Sequence, residues 1–317
     1  MAETEVVRSR HLVELDDRYP GVAGLRVAGD VFLPHAHQGA PVLCCLPGGG
    51  MSRRYWDLRP DGDDSYSFAR HAARAGFPVI ALDHLGTGGS GLPPGVPPPT
   101  LTQVVAANDA AFGHLVGVVR TELALPGRPR TVGVGHSMGA MLTIRQHAAF
   151  PRYSALALLG FTTAGLPDQV PKPILDAAAG ILDDRLLARL AESMFGSAYP
   201  RLGAGNGQAR PAPEQSAPGR AVAEFGTVLL GAGGMLSLLP GNVAREARRT
   251  RVPVFLGNGA HDRLVGARAG AHEFPQARSV DEFVLADSGH SHNMAPDRRL
   301  LWSAVEAWAV RVAPPHG

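Results

Sequence analysis

Six short apolar runs, each leading into glycine, aspartate or serine, set the architecture of this 317-residue chain. They are PVLCCLPGG at 41–49, FPVIALDHLG at 77–86, TVGVGHSMG at 131–139, SALALLGF at 154–161, VPVFLGNGAHD at 252–262 and EFVLADSGH at 282–290. Continuous apolar runs carrying β-branched residues suit strands buried on both faces. Helix-patterned segments separate several of them. SYSFARHAARAG at 65–76 has Gly76 as its stop, TQVVAANDAAFGHLVGVVRTEL spans 102–123, and LLWSAVEAWAV at 300–310 puts Leu301, Val305 and Trp308 on one face. Strand and helix in alternation predict an α/β fold, a mostly parallel central sheet with helices on both faces. The early segments LVELDD and LRVAGDVFL alternate less regularly and are expected as antiparallel edge strands.

The rhythm stops between 165 and 250. The pattern there predicts helices in PILDAAAGILDD, RLLARLAESMF and AVAEFGTVLL, with a Gly/Pro/Ala-rich loop, RLGAGNGQARPAPEQSAPGR, at 201–220. The expected organisation is a core in two pieces, 1–164 and 251–317, with a helical lid at 165–250. A chain of this size can bury roughly three-quarters of its unfolded surface, so one large core is feasible.

Charge and composition narrow the partners. A formal charge of +2 and a single short basic run, AREARRTR at 244–251, fit a solvated helix end and no nucleic-acid surface. No apolar stretch reaches membrane-spanning length, and the N-terminal MAETEVVRSRHLVELDD is not a secretory signal. Cys44 and Cys45 are adjacent, so on a strand they face opposite ways and do not bridge. Two buried thiols fit a cytoplasmic protein.

The chemistry centres on GHSMG at 135–139, a G-x-S-x-G between a strand-like and a helix-like segment. That context bends the chain sharply and presents the Ser137 hydroxyl at the carboxyl edge of the sheet. The helix that follows turns the Met138 amide toward a developing oxyanion. A serine needs a base, and the base an orienting acid, in the order Ser, Asp, His. Asp262 ends one strand run; His290 and His292 follow the next. Asp287 is too close in sequence to the histidines for an easy orienting geometry. Gly48, Gly49 and Gly50 follow the strand VLCC, and their amides can approach a substrate with no Cβ in the way. Two H-x-H pairs, 35–37 and 290–292, lack the third ligand and spacing of a hydrolytic metal site, so neither metal nor cofactor is expected.

Taken in order, GHSMG, PGGG, the DHLGTGGS turn at 83–90, the Asp262 loop and the His290 loop resemble the α/β-hydrolase superfamily over nearly the whole chain. The resemblance implies Gly49 as the second oxyanion donor beside Met138, Asp262 as the acid, and His290, directly after Gly289, as the base. Pro47 stands where many members carry histidine. Gly48, Gly50, Tyr55, Trp56, His136 and His292 are the expected pocket residues, with His292 directed away if its loop is extended. Arg53 and Arg54 are expected on the surface. The implied activity is that of a serine hydrolase, carboxylesterase-like, acting on an ester or thioester of a small to mid-sized apolar acyl substrate. Acyl transfer or cyclisation by the same residues is the alternative, and a noncatalytic binding relative ranks below both.

Overall fold

The computed structural model describes residues 6–16, 21–180, 182–201, 224–265 and 270–314. Eight strands form one sheet: β1 (Val7–Glu14), β2 (Arg26–Leu33), β3 (Val42–Leu46), β4 (Val79–Leu82), β5 (Thr131–His136), β6 (Ala155–Leu159), β7 (Val254–Gly259) and β8 (Val280–Leu285). Their order is β1-β2-β4-β3-β5-β6-β7-β8. β2 runs antiparallel to both neighbours, and β3 to β8 are mutually parallel, as the runs of apolar residues require. The central strands β3, β4, β5 and β6 are buried at every position, whereas β1 and β8 at the edges are half exposed.

Helices α1 (Phe68–Arg74), α2 (Leu101–Glu122), α3 (Met138–Ala149), α4 (Lys172–Ala178), α5 (Asp184–Phe195), α6 (Gly231–Leu238), α7 (Ala244–Ala247) and α8 (Arg298–Val312) cover the sheet. Two separate apolar layers result. One joins α2, α3, α5 and α6 to the face carrying Val42, Cys44 and Leu46. The other joins α1 and α8, through Phe68, Trp302 and Trp308, to the face carrying Leu43 and Cys45. The adjacent cysteines therefore lie in different layers, both as free thiols. Local signals set the helix ends: Thr100 and Gln103 form a reciprocal capping box on α2, and Asp183 caps α5, which stops at left-handed Gly196.

The helix expected in AVAEFGTVLL does not form from Gly226 to Leu230. Gly226 bridges Met51 and Val228 bridges Arg201, both antiparallel, so this stretch is extended. Glycine and β-branched Thr227 and Val228 favour that outcome once partners are offered. The helix begins instead at Gly231, in the glycine-rich GAGGMLSL. The predicted loop at 201–220 lies outside the described residues apart from Arg201. No helix among the described residues is long and apolar enough to cross a membrane.

Candidate active site

Ser137 sits between the end of β5 and the start of α3 with φ 54° and ψ −122°. This left-handed backbone is rare for a residue with a side chain and costs about 1–3 kcal/mol. Close packing on both sides enforces it. A Cβ on Gly135 would lie 2.5 Å from Ala140 Cα, and one on Gly139 would collide with the Leu46 and Pro47 carbonyls. The Ser137 amide donates to Leu159 O at 2.8 Å, which fixes the elbow to the end of β6. Met138 begins α3, so its amide belongs to the first turn, where N–H groups lack helical acceptors.

His290 lies beside the same turn. A Cβ on Gly160, the residue after Leu159, would be 3.2 Å from His290 Cε1 and 3.3 Å from its Nδ1. That Nδ1 pairs with Asp262 Oδ2 at 2.9 Å, leaving Nε2 for other work. Asp262 Oδ1 accepts from the Leu264 and Val265 amides at 2.9 and 3.3 Å. Burial pushes the Asp262 carboxyl up. The charge and hydrogen bond of His290, then the field of His292 and the Leu264 amide, overcome that and hold it well below the usual carboxylate range. Asp262 is thus an ionised, fully oriented partner for one imidazole.

A sequence profile described as alpha/beta hydrolase family matches residues 42–301. The chain belongs to that family. Solved structures agree at the level of fold. A lipase in open form aligns with a TM-score of 0.61 at 19% identity, over 97% of this chain and 100% of that one. DcsB, solved with its substrate analogue, gives 0.64 at 14%, over 97% and 100%. A thermophilic esterase from Thermogutta terrifontis, malate bound, gives 0.58 at 18%, over 96% and 99%. A search of curated proteins finds no match.

This α/β hydrolase places the other expected residues as follows. The glycine loop crosses Ser137: a Cβ on Gly48 would be 3.3 Å from Ser137 Cβ and 2.9 Å from His136 Nδ1. A Cβ on Gly49 would be 3.6 Å from Met138 Sδ. Gly50, at φ 72°, turns the chain and accepts from Thr227 N at 2.9 Å. His136 is fully buried; its Nε2 donates to the His290 carbonyl at 2.7 Å. Burial, then the neighbouring His290 and His292, push its proton affinity far down.

His292 does not point away from the site. It is fully buried, edge-on to His136 at 5.4 Å, and a Cβ on Gly160 would be 3.2 Å from its Cε1. The loop turns into a short 3-10 helix at His292–Met294, and this carries the ring inward. Neither ring nitrogen has a hydrogen-bond partner among the described residues. Burial pushes the imidazole down to about 4, with Asp262 pulling the other way, so it is neutral at neutral pH. No group of three or more His, Cys, Asp or Glu among the described residues is arranged to hold a metal ion.

Tyr55 and Trp56 are core residues. Trp56 is completely buried and packs on Phe68. Tyr55 stacks on His136 at 4.8 Å. Its hydroxyl accepts from Asn293 N at 3.3 Å, and its carbonyl accepts from Asn293 Nδ2 at 2.9 Å. Trp302 Nε1 donates to Asn293 Oδ1 at 2.9 Å, so one buried asparagine ties the histidine loop to α8 and to the 3-10 turn carrying Tyr55. Asn293 was invisible to motif spacing, although it lies one residue past the H-x-H pair.

Arg53 is not a surface arginine either. It pairs with Asp83 and, at 3.3 Å, with Asp30, and its amide donates to Asp83 Oδ1 at 2.6 Å. Asp83 Oδ2 also accepts from Gly89 N at 2.7 Å. His84 donates through Nε2 to Pro47 O at 2.9 Å. The DHLGTGGS turn therefore anchors the glycine loop at two points, Pro47 and Arg53. Arg54 alone remains exposed, paired with Glu224 at 3.1 Å.

Proposed function

We propose that this α/β hydrolase is a serine hydrolase that cleaves a carboxylic ester or thioester of a small to mid-sized apolar substrate through an acyl-enzyme on Ser137. The observation that carries the reading is the strained Ser137 at the elbow, facing the same Leu159–Gly160 turn as a His290 imidazole oriented by ionised Asp262. His290 Nε2 removes the hydroxyl proton as Ser137 Oγ attacks the carbonyl carbon. Asp262 holds the tautomer and offsets the imidazolium charge. The amides of Met138 and Gly49 receive the oxyanion, each such donor contributing about 3–4 kcal/mol to barrier lowering. His290 then protonates the leaving oxygen or sulfur, and water, activated by the same imidazole, releases the acid. The described helices between 165 and 250, α4 to α7, serve as the cap over this site. Apolar Leu187 and Leu190, with Met138, Leu229 and Leu230, favour an uncharged acyl group.

The test is intact-mass measurement after exposure to an alkyl fluorophosphonate. One adduct on the wild type and none on Ser137→Ala is the expected outcome. A folded wild type that stays unmodified, even after prolonged exposure, would overturn the assignment of an activated serine.

A further inference from the structure

Four glycine and leucine positions around the glycine loop are interlocked. The extended stretch before α6 is stitched along this loop: Ser52 N donates to Phe225 O at 2.7 Å and Thr227 N to Gly50 O at 2.9 Å. Gly88 N donates to Thr227 Oγ1 at 3.1 Å, so the DHLGTGGS turn grips the same strap. The strap then delivers Leu229, whose side chain is wedged between two residues that have none. A Cβ on Gly49 would lie 2.7 Å from Leu229 Cδ1, and one on Gly234 would lie 2.7 Å from Cδ2 and 3.1 Å from Cδ1. Met138 is held in the same way: a Cβ on Gly233 would be 2.6 Å from its Sδ. Two adjacent glycines inside a helix each cost roughly 1 kcal/mol relative to alanine. The close approach of α6 to Leu229 and Met138 is the packing reason for them.

From this geometry we infer that Leu229 is a specificity-determining residue that closes the acyl end of the site over Gly49 and limits the enzyme to short acyl groups. The inference rests on the Ser137 acyl-enzyme reading. Leu229 is almost fully buried and covers the glycine whose amide, with that of Met138, receives the oxyanion. An acyl chain leaving the carbonyl carbon on that side meets the Leu229 methyl groups at once. It cannot displace them sideways, because Gly234 blocks retreat toward α6 and the backbone hydrogen bonds fix the strap along the loop. Replacing leucine with alanine removes Cγ and both methyls, which frees room for about three more acyl carbons. A Cβ on Gly234 acts in the opposite sense, pressing Leu229 toward Gly49.

The experiment compares kcat/KM for p-nitrophenyl acetate, butyrate and octanoate in the wild type, Leu229→Ala and Gly234→Ala, with ethyl fluorophosphonate adduct formation on Ser137 measured on each protein. The wild type is expected to favour acetate. Leu229→Ala is expected to raise the butyrate-to-acetate ratio roughly tenfold or more, the scale on which pocket methylenes discriminate. Gly234→Ala is expected to lower the butyrate-to-acetate ratio, which guards against a Leu229→Ala protein that folds poorly. Adducts on Ser137 with chain-length ratios unchanged in both variants would overturn the role of Leu229 and leave the serine hydrolase intact. A wild type that prefers octanoate would do the same. Absence of any Ser137 adduct in all three proteins would overturn the hydrolase reading and this inference with it.

Discussion

At Ser137 the backbone adopts a conformation that the side chain disfavours, and the neighbouring glycines leave it no alternative. The same economy of position governs Asp262, whose two oxygens are committed to two loop amides and one imidazole nitrogen. Because the carboxyl is held ionised far below neutrality, its charge and its bond to His290 persist through the neutral range. Asp262→Asn keeps the shape but offers His290 Nδ1 an amide that can favour the wrong tautomer. The expected result is a loss of kcat on the order of 10³–10⁴ with little change in KM for a p-nitrophenyl ester. A loss under tenfold would show that another group orients the base. Residue by residue, the positions at strand ends were legible because G-x-S-x-G and the Ser, Asp, His order tie them to one sheet edge. The inward turn of His292 was not, since it depends on Asn293 bonding to Tyr55 and Trp302, residues distant in sequence.

At the scale of elements, the strands and the long helices follow from apolar runs and 3.6-residue periodicity, signals that lie within each segment. The strap at 226–230 does not, because its conformation comes from pairing with Met51 and Arg201. Helix α6 escaped for a related reason. Its glycines lower local propensity, and only contact with Met138 and Leu229 explains them. The glycine loop is likewise shaped from outside, by the buried Asp83 carboxylate that receives Arg53 and two backbone amides. Removing Asp83 leaves the Arg53 and Gly89 amides without their acceptor and Arg53 with Asp30 as its remaining carboxylate partner. Asp83→Ala is therefore expected to destabilise the fold by about 3–5 kcal/mol, read from chemical denaturation. It should also slow Ser137 labelling in the fraction that remains folded. A variant with unchanged stability and full labelling rate would show that the loop holds its shape without this anchor.

At the scale of the whole molecule, three fully buried histidines, His84, His136 and His292, make the fold sensitive to mild acid. Burial lowers the proton affinity of each, in His292 to about 4. The unfolded chain takes up these protons near pH 6.5, the ordinary histidine value, while the folded chain resists them to lower pH. The unfolded state therefore binds more protons between these limits, and stability must fall as pH drops through that window. For His292 alone the difference amounts to about 3 kcal/mol by pH 4, at about 1.4 kcal/mol per pH unit. Asp262 adds to the loss only at lower pH, because its depressed carboxyl contributes stability that is present above about 4 and lost as pH falls below it. The two contributions are thus separated along the pH axis. Urea unfolding at steps between pH 7.5 and 4 should show stability declining through the upper window, before the Asp262 contribution is lost. His292→Gln places an amide that does not titrate at the same buried position. Whatever its stability at pH 7.5, its decline from pH 6.5 to 4 should be shallower than that of the wild type by about the 3 kcal/mol assigned to His292. Parallel pH profiles for the two proteins would mean that His292 gains its proton equally in both states, and that its burial is relieved in the folded protein on the timescale of the measurement.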